Sequence, residues 1–165
     1  MTALNALGIA MYVVFNMFIP IRVVGNYFLC LGYVVIVAYP YLFGVSSGVI
    51  VGFFGTLIYC LLEASFNGIV GWTLGNMFIG FVLGIIFSKT KKMDSGLLRI
   101  GADISAIVLS CAVAFLLIKP LSEVIMFQLP YITRFFSNLR AFFLDCAVML
   151  IGYPLARYFE KKKLV

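Results

Sequence analysis

The chain has 165 residues, of which 64% are hydrophobic and 11% charged, and this composition cannot supply the polar shell of a soluble domain. A helix needs about 20 apolar residues to cross the hydrocarbon layer, so the length admits roughly six or seven spans and no separate soluble domain. The formal net charge of +6 gathers at Lys89, Lys91, Lys92 and Arg99 and again at Arg157, Lys161, Lys162 and Lys163; each cluster adjoins a long apolar segment, the positive-inside pattern of a membrane protein rather than a nucleic-acid surface.

In chain order, a first span is expected over residues 3–19, closed by Pro20 and followed by a polar stretch with Arg22, Gly25 and Asn26. It has no basic leader and no small-residue cleavage site, and is taken as a retained span. From Tyr27 to Leu62 the chain is apolar for nearly twice a membrane thickness, which demands a reversal. Gly44, Ser46, Ser47 and Gly48 supply it, and Pro40 can kink or end the helix before it because it lacks an amide hydrogen. The second and third spans are therefore 27–43 and 46–62. A fourth, 72–88, follows Glu63, Asn67, Gly68 and Gly71, and a fifth, 98–118, follows the first basic cluster. Lys119, Pro120, Glu123 and Pro130 mark a longer connection with room for a short interfacial helix, before a last span at 133–158. The expectation is an all-α integral membrane protein, one six-helix domain over residues 1–165. The two basic clusters bracket the fifth and sixth spans and so share a side; counting back puts both termini in the cytoplasm.

Small residues form rows at near-helical spacing: Gly48, Gly52 and Gly55 on the third span, and Gly71, Gly75, Gly80 and Gly84 on the fourth. Such rows let helix backbones approach closely where lipid gives no hydrophobic drive for association. Ala6 and Ala10 on the first span, with Gly8 between them, make a similar pair that suits either internal packing or a partner helix.

Polar groups are expensive inside a bilayer and mark a cavity, a partner or the protein interior. In the expected topology the outer half of the bundle gathers Asn26 and Tyr27, then Tyr59 and Glu63, then Asn67, Trp72 and Asn76, and from the last span Arg134 and Asn138. Arg134, Asn138 and Asp145 fall within about 40° of one another on that helix. These residues are the candidate small-molecule site, since aromatic walls with a few convergent polar groups are how such ligands are held. Each has a plainer alternative: Glu63 and Arg134 as interfacial charges or a mutual pair, Trp72 as a member of the aromatic belt. Asp103, four residues after Arg99, reads as its intrahelical partner.

Nothing here looks catalytic. Histidine is absent, Cys30, Cys60, Cys111 and Cys146 stand singly in apolar runs, and there is no paired carboxylate or phosphate-cradling loop, so no metal and no cofactor are expected. Ion-driven transport or membrane enzymology are the rivals; the sparse ionisable groups and the missing histidine weigh against them.

Ala6-Leu7-Gly8-Ile9-Ala10, the stretch Leu42-Phe43-Gly44-Val45-Ser46-Ser47-Gly48 continuing to Gly55, and Gly71-Trp72 through Asn76, Gly80 and Gly84 together resemble the substrate-binding S components of energy-coupling factor (ECF) vitamin transporters. A proline often seen after the first glycine of the second motif is replaced here by Val45. The resemblance implies a bacterial multi-pass membrane protein that binds a water-soluble vitamin in an outward pocket. It also implies two kinds of partner: a transmembrane coupling subunit, met by Ala6 and Ala10, and two ATPase subunits that drive the S component to topple in the bilayer. The substrates it suggests are hydroxymethylpyrimidine, pyridoxine or a similar ring compound, with pantothenate, its carboxylate met by Arg134, as the alternative.

Overall fold

The computed structural model describes residues 2–19, 21–24, 27–63 and 69–162, with the backbone alone for 21–24 and 27–28. Helix α1 runs Thr2–Phe18, and strands β1 (Ile21–Val24) and β2 (Tyr27–Leu29) form an antiparallel hairpin pairing Ile21 with Leu29 and Arg22 with Phe28. Then come α2 (Tyr33–Phe43), α3 (Val45–Leu62), α4 (Ile69–Thr90), α5 (Gly96–Val113), a π-helical turn (Ala114–Ile118), α6 (Lys119–Phe127) and α7 (Tyr131–Lys161). Among the described residues four helical stretches are long and apolar enough to cross a membrane, 45–62, 69–90, 96–127 and 131–161, and two shorter apolar helices, α1 and α2, accompany them. The protein is thus a multi-pass membrane protein, almost wholly helical.

Two boundaries depart from expectation. The second span is expected from residue 27, but Tyr27–Leu29 is a strand and the helix starts at Tyr33. Ile21, Val23, Val24, Tyr27 and Phe28 are β-branched or aromatic and suit an extended ladder better than a helix. Lys119 and Pro120 do not open a loop: the π-turn carries α5 into α6 without a break, and the connection shrinks to Gln128–Pro130. Proline is tolerated inside this continuous helix because the Leu116 carbonyl, which its missing amide hydrogen leaves free, accepts instead from Tyr131 Oη at 2.8 Å. By contrast the reversal at Gly44 is where the chain turns, with φ of +83° and ψ of −169°, a conformation open essentially to glycine alone.

Gly48 and Gly52 of the first row, with Gly80 and Gly84 of the second, form the seam between α3 and α4, while Gly55, Gly71 and Gly75 pack against Tyr12, Lys119 and Ala114. A Cβ on Gly52 would lie 2.5 Å from the Asn76 carbonyl oxygen, and one on Gly48 2.7 Å from the Gly80 carbonyl oxygen, so the two backbones touch. That approach fixes the register of α4 on α3 and sets Asn76, fully enclosed, at the centre of the bundle. Around it the core is aromatic and aliphatic, with Tyr12, Tyr33, Ile79, Phe115 and Met149 all buried.

At the end of the bundle that carries the basic clusters, Glu160 of α7 meets Lys91 and Arg99, both at 2.9 Å, and accepts a hydrogen bond from Tyr41. Asp103 is not paired with Arg99. It is completely buried, accepting from Thr90 Oγ1 and from Tyr153 Oη at 2.6 Å. The intrahelical spacing allowed Arg99–Asp103, but an aspartate on the inward face of α5 is better satisfied by neutral hydroxyls than by a guanidinium that must reach back from the helix end.

Candidate functional site

The geometry starts from Asn76 on α4. Its Nδ2 donates to Thr56 Oγ1 at 2.8 Å and to Tyr12 Oη at 3.2 Å, and its Oδ1 accepts from Tyr33 Oη at 3.0 Å. Thr56 in turn donates to the Gly52 carbonyl, so one amide ties α1, α2, α3 and α4 together. One turn earlier on α4, Trp72 donates from Nε1 to the same Tyr33 hydroxyl at 2.6 Å. The indole is therefore held in place by a hydrogen bond inside the bundle, which a side chain merely resting in the interfacial belt does not need.

An aromatic wall grows from this knot. Tyr59 stands edge-on to Trp72 with centroids 5.8 Å apart and edge-on to Tyr12 at 6.4 Å, while Tyr33 tilts against Phe115 at 5.9 Å. Gly55 makes room for the Tyr12 ring, since a Cβ there would sit 3.0 Å from it. Over the wall lies a cation: Lys119 Nζ is 4.7 Å from the Trp72 ring centroid and 5.5 Å from that of Phe115, within cation–π range of both.

Acids and amides complete the polar side. Lys119 lies within electrostatic reach of the carboxylates of Glu123 and Asp145 and of Cys30 and Cys60. Asp145 is buried on α7, with the Cys30 backbone amide directed at it. Glu123, also buried, accepts from Asn138 Nδ2 at 3.2 Å and lies 3.7 Å from Arg134 Nε.

Of the expected site residues, the fold brings Tyr59, Trp72 and Asn76 together in the first group, and Arg134 and Asn138 in the second, around Glu123. Lys119 joins the two. Glu63 is set apart, exposed at the C-terminal end of α3, and Arg134 meets Glu123 instead of Glu63. Asn26 and Asn67 lie outside the described residues, as does the side chain of Tyr27. Ala6 and Ala10 are exposed on the outer side of α1, whereas Gly8 between them faces inward against Tyr39. Sequence reasoning passed over Tyr12, Tyr33, Thr56, Phe115 and Lys119. The tyrosines and threonine carried a usable signal, being hydroxyls within apolar spans; Lys119 did not, because beside Pro120 it looked like the start of a loop.

The arrangement gathers aromatic rings, the Lys119 and Arg134 cations and acceptor carboxylates in an otherwise apolar bundle, the mixture by which small polar ring compounds are held. Compared with known protein families, residues 1–161 match the model described as ECF-type riboflavin transporter, S component.

Proposed function

Since this chain belongs to the ECF-type riboflavin transporter S components and is a transport subunit rather than an enzyme, we propose that it captures riboflavin for import across the bacterial cell membrane. The single observation that supports this substrate at the level of the site is the hydrogen-bonded Trp72, flanked by Tyr59 and capped by Lys119. A flavin is a flat heteroaromatic with acceptors along one edge; indole and phenol rings stack on its face, and an ammonium group donates to its edge. Hydroxymethylpyrimidine, pyridoxine and pantothenate, which the motifs suggested, become competitors in the test, because the family description names none of them. Under this proposal Tyr59, Trp72, Arg134 and Asn138 line or border the pocket, and Asn26, Tyr27, Glu63 and Asn67 remain proposed vitamin contacts. Asn76 acts through Tyr33, Tyr12 and Thr56 as a positioning residue.

In the same proposal the chain crosses the membrane six times, α1 and α2 supplying the two crossings beyond the four long stretches, with both termini in the cytoplasm and the pocket open to the outside. Ala6 and Ala10, exposed on α1, meet the transmembrane coupling subunit, and two ATPase subunits supply the energy. Import is tested in a bacterium unable to make or take up riboflavin. Expression of this chain with a coupling subunit and both ATPases should restore uptake of labelled riboflavin, and omission of any one of them should abolish it. Uptake by this chain alone would instead support an ion-driven carrier, and restored uptake of pyridoxine but not riboflavin would replace the substrate.

A further inference from the structure

The helix formed by α5, the π-turn and α6 changes face partway along. Before the turn its inward residues are Ile107, Ser110 and Cys111, at its start Ala114 and Phe115, and after it Pro120 and Glu123. An unbroken α-helix advances about 100° per residue, which would leave Glu123 about 120° and Lys119 about 80° round from Cys111. A π-turn holds one additional residue, so the face beyond it swings back by about 100°. Both charged side chains then return to the bundle interior. The apolar residues between and beyond them go the other way: Leu121 is 48% and Ile125 77% exposed. Without the turn, Glu123 would point about 120° away from the inward line and Ile125 only about 40° from it, while Lys119 and Leu121 would lie about 80° to either side.

Local chemistry holds the turn in place. Pro120 has no amide hydrogen to return to the Leu116 carbonyl, and Tyr131, from the first turn of α7, donates its hydroxyl to that carbonyl at 2.8 Å. Gly71 of α4 lies against the Lys119 backbone, where a Cβ would meet Lys119 Cα at 3.0 Å, and Ser122 donates to the Lys119 carbonyl at 2.7 Å. The Lys119 backbone is thereby clamped against α4 one residue from Trp72.

We infer that the π-turn is a positioning device that delivers Lys119 to the aromatic site, where its ammonium group donates to an acceptor on the ring edge of the bound vitamin. This rests on the proposed flavin site and adds to it the residue that discriminates by charge. A ligand with acceptors at that edge gains a charge-assisted hydrogen bond; one presenting a donor or a cation there meets Lys119 head on.

The test uses the purified full chain in detergent, with riboflavin as probe, in four variants: Lys119→Met, Lys119→Arg, deletion of Leu117, and that deletion combined with Lys119→Met. Lys119→Met should weaken binding by about tenfold or more, as loss of a hydrogen bond from a charged donor does, while Lys119→Arg restores most of it. Deleting Leu117 removes the extra residue and should weaken binding at least as much. Adding Lys119→Met to the deletion should then cost nothing further, a non-additivity that general destabilisation would not give. Without ligand, the emission of Trp72, the sole tryptophan, should change alike in Lys119→Met and in the deletion, because both withdraw the ammonium group from the indole. Riboflavin bound equally by the parent and Lys119→Met, or full additivity of the two changes, overturns the inference. A parent that does not bind riboflavin refutes the flavin proposal and not the placement, which the Trp72 emission then decides: emission unaltered by both changes overturns it.

Discussion

Asn76 is the residue on which the site most depends, because its one amide satisfies three hydroxyl-bearing side chains on three helices. Replacing it by leucine keeps the volume but removes the acceptor of the Tyr33 hydroxyl and the donor to Tyr12 and Thr56, leaving Thr56 its bond to the Gly52 carbonyl and Tyr33 the bond from Trp72. Hydrogen bonds between membrane helices are individually modest, so the three together are expected to be worth about 2 kcal/mol. Thermal unfolding in detergent should show Asn76→Leu melting clearly below the parent; an unchanged midpoint would mean that the knot is not what holds these helices. Glu160 is the opposite case. Its pairs with Lys91 and Arg99 are partly solvated, with side-chain exposures of 29%, 18% and 35% for Lys91, Arg99 and Glu160. Glu160→Gln should therefore cost less than about 1 kcal/mol, and a larger loss that persists in high salt would contradict that assignment. At this scale the sequence marked polar residues as worth attention but not their partners. Arg99 and Asp103 are four apart and looked like a pair, yet each is claimed by residues 61 and 50 positions away in the chain. Spacing along one helix says nothing of what the neighbouring helix presents.

Among the elements, α3 and α4 depend on each other through glycine. Gly52→Leu would push a branched side chain into the Asn76 backbone, and should destabilise the bundle by at least about 3 kcal/mol, seen as loss of monodisperse protein after solubilisation. Gly101→Ala is the matched control on α5, exposed and with nothing within 4 Å of an added Cβ, and should be silent. If both variants behave alike, close approach is not the reason for the glycine rows. This seam was legible beforehand, since small residues at helical spacing are a local pattern with a direct packing meaning, and so was the reversal at Gly44. The hairpin of β1 and β2 was less so. Its signal, Gly25-Asn26 between β-branched and aromatic residues, was present, but an apolar run beginning at Tyr27 also fits the start of a span. The π-turn was out of reach, because periodicity reasoning assumes 3.6 residues per turn throughout. Lys119 and Glu123, charged and standing among Pro120 and Pro130, therefore read as part of a connection.

For the whole molecule, the S-component resemblance carried by the three motifs agrees with the family match across residues 1–161, while topology, docking and substrate are open to direct experiment. In a background without the four native cysteines, an impermeant thiol reagent added to intact cells should label a cysteine at Gln128 but not one at Ser95, both positions being exposed. The reverse pattern would invert the orientation. Ala6→Trp or Ala10→Trp should abolish co-purification with the coupling subunit and leave vitamin affinity unchanged, since both alanines face away from the bundle; loss of affinity as well would assign the pair to internal packing. The central claim, that the aromatic wall around Trp72 binds a flavin, is tested most directly by titrating riboflavin with the purified chain and following flavin fluorescence. Stacking on indole and phenol rings should quench it, saturating at one vitamin per chain with nanomolar affinity, about 12 kcal/mol of binding free energy, and Trp72→Leu should weaken the binding severely. Riboflavin fluorescence unaffected by the parent protein, or quenched equally by Trp72→Leu, would contradict it.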